Sequence, residues 1–71
     1  MDQPFIELNT IVKLQNWATT GGQAKLLIRS GKIFVNGVIE TRNRKKLVAG
    51  DVVRYQGKDF KIPADFIKTK E

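Results

Sequence analysis

The stretch Thr19 to Gly37, TTGGQAKLLIRSGKIFVNG, leaves the chain few ways to fold, because it joins a helix start, a helix stop, a strand and a tight turn with almost nothing between them. Thr20 followed three residues later by Gln23 has the form of a capping box, in which the hydroxyl and the carboxamide each satisfy a backbone donor that the first turn leaves orphaned. A helix is therefore expected to begin at about Thr20. Ala24, Leu27 and Ile28 recur at the spacing of one helical face, whereas Lys25 and Arg29, four apart, centre more than a third of a turn away at about 100° per residue. Leu26 falls outside the apolar arc. Gly31, after Arg29 and Ser30, predicts a left-handed helix end with a cation near its negative pole. Ile33 and Val35 then alternate with Lys32, Phe34 and Asn36 as in a half-buried strand, and Asn36-Gly37 is a strong local signal for a hairpin turn.

The rest of the chain fits around this centre. Pro4 precedes Phe5-Ile6-Glu7-Leu8, which reads as an extended lead-in. Asn9 or Thr10 is placed to cap a first helix carrying Leu8, Ile11 and Val12 on one side and ending near Trp17. The short connection Thr19 to Gly22 implies that the two helices pack together, through Ile11, Val12, Leu14 or Trp17 on one and Ala24, Leu27 and Ile28 on the other. Beyond the turn, Val38 to Glu40 should return beside Ile33 to Val35. Thr41 to Lys46, TRNRKK, should be an exposed loop, and Leu47-Val48 should re-enter the core. Ala49-Gly50-Asp51 turns into a strand at Val52 to Tyr55, and Gln56-Gly57-Lys58 turns that strand back into Asp59 to Ile62. Pro63 ends it, and residues 63–71 form a tail in which Phe66 and Ile67 are candidates to dock. The expected fold class is α+β: two packed helices followed by a small antiparallel sheet of short strands.

With 71 residues the chain has room for one domain, residues 1–71, which buries only around 60% of its unfolded surface. It contains no cysteine and no histidine, which removes disulfides, thiolate chemistry and the commonest metal ligand and general base. The expectation is a protein that is not an enzyme and holds no metal or cofactor. No stretch approaches the roughly 18 apolar residues of a membrane span, and the N-terminus lacks the pattern of a signal peptide. A cytoplasmic monomer with neither a membrane nor a small-molecule partner is expected.

The formal charge of +6 is concentrated in the middle. From Lys13 to Arg54 nine basic residues stand against Glu40 and Asp51, a local balance of +7. So focused a positive field suits a polyanion. Lys25 and Arg29 offer a cationic helix face, with Lys32 just beyond its end. Thr20, Gly22 and Gln23 belong to a helix start whose small residues leave backbone donors accessible to phosphate. Arg42, Arg44, Lys45 and Lys46 form a second cluster, in which the guanidinium groups can grip phosphate bidentately or stack on unpaired bases. Phe34 and Tyr55 are possible stacking platforms, but in so small a domain they and Trp17 are assigned to the core.

The combination of Gln23-Ala24-Lys25, Gly31, Val35-Asn36-Gly37 and Gly50-Asp51 at these spacings resembles the RNA-binding domain family named after small-subunit ribosomal protein S-four, whose core is called the alpha-L motif. The resemblance covers residues 7–55 and looks closest to small stand-alone members of the YaaA or YbcJ type. It implies non-catalytic binding of structured RNA, with ribosomal RNA a candidate, through the second helix and the hairpin after it. Domains of this family are also appended to pseudouridine synthases, but no catalytic domain is visible here. Many members have an Arg-Leu-Asp run where this chain has Glu7-Leu8-Asn9, and an arginine where Gly21 stands. The resemblance therefore shifts weight to the loop at residues 42–46. A module docking on an acidic protein partner is the alternative from a different class.

Overall fold

The computed structural model describes residues 4–66, with Phe66 described by its backbone alone. Strand β1 (Ile6–Glu7) leads directly into helix α1 (Leu8–Leu14), and helix α2 (Gly21–Arg29) follows. Strands β2 (Ile33–Val35), β3 (Val38–Ile39), β4 (Lys46–Leu47), β5 (Val52–Tyr55) and β6 (Lys58–Lys61) come next, and a 3-10 turn at Ala64–Phe66 ends the described chain. The α+β class holds, with one change of order. β1 precedes the helices and pairs antiparallel with β4 in a separate two-stranded ladder, while β3-β2-β5-β6 form the main antiparallel sheet.

Helix α2 follows the sequence closely. Thr20 is its N-cap, and its Oγ1 accepts from the Gln23 amide at 3.1 Å. The reciprocal half of the box is displaced by one residue: Gln23 Oε1 accepts from the backbone amide of Thr19 at 3.0 Å and from its hydroxyl at 2.5 Å, not from Thr20. Gly31 closes the helix at φ +82°. Ala24 and Ile28 are wholly buried, Leu27 is half-buried, and Leu26, the residue outside the arc, is 72% exposed.

Helix α1 departs from expectation at both ends. Neither Asn9 nor Thr10 caps it. Glu7 occupies the N-cap position and makes no side-chain cap bond. The orphan donors of the first turn are instead met from a segment distant in sequence, Leu8 N–H by the Lys45 carbonyl at 2.9 Å and Asn9 N–H by the Asn43 carbonyl at 3.1 Å. The helix stops at Leu14 rather than near Trp17 because Asn16 turns left-handed at φ 62°. Asn16 N–H then bonds to Lys13 O and Trp17 N–H to Val12 O, both at 3.0 Å, the pairing of a Schellman motif with asparagine in the glycine's place.

The core lies between the helix pair and one face of the main sheet. Leu8, Ile11, Val12, Ala24, Ile28, Ile33, Leu47 and Val53 are fully buried, with Ala18, Val35 and Ile62 beside them. Each large side chain there contributes about 1.5–3 kcal/mol of burial. Leu14 is 54% exposed and takes no part. Trp17 and Tyr55 pack on the edge of this core with ring centroids 5.4 Å apart. Phe34 does not pack on it, contrary to its assignment from sequence, because the pleat that turns Ile33 and Val35 inward turns Phe34 to the opposite face.

Both hairpins use the turns that the sequence indicates. Asn36-Gly37 and Gln56-Gly57 all have positive φ, as two-residue type I′ turns require. Asn36 is also tied to the Gly50-Asp51 turn: its Nδ2 donates to Asp51 Oδ1 at 3.1 Å, and its Oδ1 accepts from Val52 N–H at 3.0 Å. Asp51 Oδ2 in turn accepts from Val48 N–H at 2.9 Å. The most recognisable residues of the motif thus form a clamp between two turns. The proposed docking of Phe66 and Ile67 lies outside the described side chains.

Candidate nucleic-acid interface

On α2, Lys25 and Arg29 stand one turn apart on the solvent side, and neither makes an ion pair among the described residues. Lys32, just past the Gly31 stop, is likewise exposed. At the other end of the helix Gly21 and Gly22 are exposed. A β-carbon would meet nothing within 4 Å at Gly21, and only Thr20 Oγ1 at 3.9 Å at Gly22. The fold therefore has no steric need for either glycine. What the pair does provide is an uncluttered helix start where an anion can approach the backbone. Thr20 Oγ1 accepts from the Gln23 amide and Gln23 Oε1 is taken by Thr19, which leaves the Thr20 hydroxyl proton and the Gln23 carboxamide nitrogen as side-chain donors on that surface.

The second cluster is held by backbone. Because the carbonyls of Asn43 and Lys45 cap α1, the TRNRKK segment is pinned to the start of that helix, and Lys45 N–H closes back on Arg42 O at 3.3 Å. The segment is less open than expected: Asn43 and Lys45 are half-buried, and Lys46 belongs to β4 rather than to the loop, although its side chain remains exposed. Arg42, Arg44, Lys45 and Lys46 surround an open hollow of about 420 Å³.

Carboxylates temper this cluster. Arg42 Nε sits 2.9 Å from Glu40 Oε2 and its Nη2 3.3 Å from Oε1, while the Arg42 amide also donates to Oε2 at 3.0 Å. The Glu40 carboxyl is held below its usual range, chiefly by the Arg42 side-chain hydrogen bonds, which outweigh the opposing cost of desolvation. Arg44 Nη2 lies 3.1 Å from Glu7 Oε2. Lys46 Nζ stands 4.9 Å over the Phe5 ring, a cation–π contact. Both arginines remain largely solvent-exposed, 70% for Arg42 and 76% for Arg44, so a phosphate can reach them.

Neither Glu7 nor Phe5 was legible as a partner of the loop. Glu7 meets Arg44 across 37 residues of sequence, and only the β1–β4 pairing, with Ile6 opposite Leu47 and Glu7 opposite Lys46, brings the two together. Lys25 and Arg29 lie on α2 and the other four cations on the segment at residues 42–46, so the described surface carries two basic clusters on separate elements. Among the described residues there is no group of histidine, cysteine, aspartate and glutamate able to hold a metal, and no helix long and apolar enough to cross a membrane.

Known proteins share both the sequence and the architecture. YbcJ of Escherichia coli (strain K12) is 41% identical over 61 residues, covering 86% of this chain and 87% of that protein. RlbA of Bacillus subtilis (strain 168), which carries a ribosome-maturation name, is 33% identical over 57 residues, 80% of each. The solution structure of E. coli YbcJ, described as revealing an alpha-L motif involved in RNA binding, superposes with a TM-score of 0.64 at 39% identity over 90% of this chain and 81% of that one. The sequence profile of the S4 domain spans residues 1–63, and with two helices and an antiparallel sheet arranged as in YbcJ, the chain belongs to the S4 domain family.

Proposed function

We propose that this protein binds structured RNA, ribosomal RNA first among the candidates, and performs no chemistry on it. The observation that carries this reading is the solvent face of α2, where Lys25 and Arg29 stand without an ion pair among the described residues, beyond a helix start opened by two glycines that the packing does not require. Lys32 extends that face, and Thr20, Gly22 and Gln23 frame its phosphate-facing end. Arg42, Arg44, Lys45 and Lys46 add a second contact for the RNA backbone around their hollow. The description of YbcJ supports RNA as the ligand, and the name of RlbA favours an RNA of the ribosome. The absence of histidine and cysteine from the sequence supports binding without catalysis. We take the protein to act as a monomer in the cytoplasm, where such RNA is found.

Phosphate contacts by lysine and arginine position the protein and make affinity depend on salt. If about four to six phosphates are engaged, log K falls with log salt at a slope of roughly −3 to −5. The test is a titration of a ribosomal RNA fragment at two salt concentrations with the parent, the Lys25→Ala/Arg29→Ala variant and the Arg42→Ala/Arg44→Ala variant. Because Arg42 and Arg44 are already paired with Glu40 and Glu7, the helix pair is expected to cost at least as much affinity as the loop pair. Each variant should flatten the slope by about one to two units and melt close to the parent. Unchanged affinity in both variants would remove the interface. Binding that acidic peptides compete away and RNA does not would favour a protein partner.

A further inference from the structure

The outer face of the main sheet carries a site that the basic clusters do not account for. Strand register sets Ile39, Phe34, Arg54 and Asp59 side by side across all four strands, through the pairs Phe34–Ile39, Phe34–Arg54 and Arg54–Asp59. The pleat turns this row away from the core, and Arg54, Asp59 and Ile39 are exposed while Phe34 is half-buried. An open hollow of about 250 Å³ is lined by Phe34, Gly37, Val52, Arg54 and Asp59. Asp59 grips the Arg54 guanidinium with both oxygens, at 2.6 Å to Nε and 3.1 Å to Nη2, which fixes its plane, and Arg54 stands opposite Phe34 in register.

This row is locally neutral, since the single cation is matched by a single carboxylate at contact distance. A phosphate would meet the Asp59 charge, whereas a flat, uncharged heterocycle meets an aromatic face, an oriented guanidinium plane and, at Asp59, an acceptor for its ring and exocyclic N–H groups. Lys61, paired with Val52 in the neighbouring row, shares this face and supplies a cation beside the neutral row for a flanking phosphate. We infer that Phe34, Arg54 and Asp59 form a binding site for one unpaired nucleobase of the RNA. The inference rests on the RNA-binding reading above and deepens it: α2 and the loop hold the backbone of the structured part, and the outer sheet face takes a base that pairing leaves free.

The experiment compares two probes, a stem–loop RNA with 2-aminopurine in its unpaired loop and a blunt duplex of the same stem. Loss of stacking on one aromatic side chain should weaken stem–loop binding by about five- to a hundredfold in Phe34→Ala and leave duplex binding within about twofold. Phe34→Leu, which keeps an apolar side chain in the row but no ring, guards against a folding defect and should show the same selective loss. Phe34→Trp should restore binding and the quenching of 2-aminopurine emission. Arg54→Lys, which keeps the charge but not the plane, should weaken stem–loop binding without changing the salt slope. Stem–loop affinity unchanged in Phe34→Leu, or lost equally for both probes, would overturn the base site while leaving the RNA-binding reading intact. If the parent protein bound neither probe, the RNA-binding reading would itself fail.

Discussion

Replacing Glu7 with glutamine should make the protein bind RNA more tightly, although it removes an ion pair from the folded domain. The Glu7 carboxylate meets Arg44 through a single oxygen, Oε2, 3.1 Å from Nη2 and 3.2 Å from Nε, and the arginine is 76% exposed. An exposed pair of this kind contributes about 0.2–1 kcal/mol. An acidic residue at a helix N-cap contributes about 0.3–1 kcal/mol more through the helix dipole. The variant should therefore lose roughly 0.5–2 kcal/mol of stability and, at about 4–8 °C per kcal/mol for a domain of this size, melt about 2–15 °C lower. Binding gains two terms. Arg44 no longer has to leave a carboxylate, which returns most of the pair's roughly 0.2–1 kcal/mol. A like charge is also removed at about 8 Å from any phosphate that Arg44 contacts, worth about 0.5 kcal/mol in water. Together these amount to about three- to tenfold tighter binding, with a salt slope steeper by up to about 0.9. The assay is a filter-binding or anisotropy titration at two salt concentrations, at a temperature where both proteins are folded. A variant that bound no tighter, with an unchanged slope, would show that Arg44 faces away from the RNA and that the loop belongs to the scaffold alone.

Gly37→Val should melt about 5–15 °C lower. The position has φ +83° with open space around a β-carbon, so the cost is conformational, about 1–2 kcal/mol, and an undiminished melting point would refute the turn assignment. Asp51→Ala removes the acceptor of Val48 N–H and of Asn36 Nδ2 and should cost about 2–3 kcal/mol in chemical denaturation, while the salt slope of RNA binding stays that of the parent; a variant as stable as the parent would show that the clamp contributes nothing. Arg42→Ala should move the Glu40 titration, followed by carboxyl NMR, up towards its usual 4.5, because the side-chain hydrogen bond from Arg42 is the main cause of its depression. With the folded value depressed, the pair's stabilisation is present above the unfolded value of about 4.5 and is lost as pH falls through the folded one. The Arg42 variant should accordingly lose less stability than the parent on acidification below about pH 4.5, and equal losses would break the linkage.

Much of this protein could be read from residues close together in sequence. The Thr20 cap, the Gly31 stop and the Asn36-Gly37 and Gln56-Gly57 turns are local devices, each fixed by the backbone preferences of a few neighbours, and the structure places all of them within a residue of expectation. Alternation likewise fixed which of Ile33, Phe34 and Val35 share a face. Tertiary structure decided what depends on partners distant in sequence. The start of α1 carries no side-chain cap because its donors are met by the carbonyls of Asn43 and Lys45, groups that every residue possesses and no sequence pattern marks. That same capture anchors the basic loop and sets Arg44 against Glu7, so that a segment with four cations in six residues presents less free charge than its composition promises. Alternation could say that Phe34 opposes Ile33 and Val35, but the helices pack over only one side of the sheet. That choice of side, made by the burial of Ala24 and Ile28 against the inward residues, left the ring on the outer face beside Arg54 and Asp59.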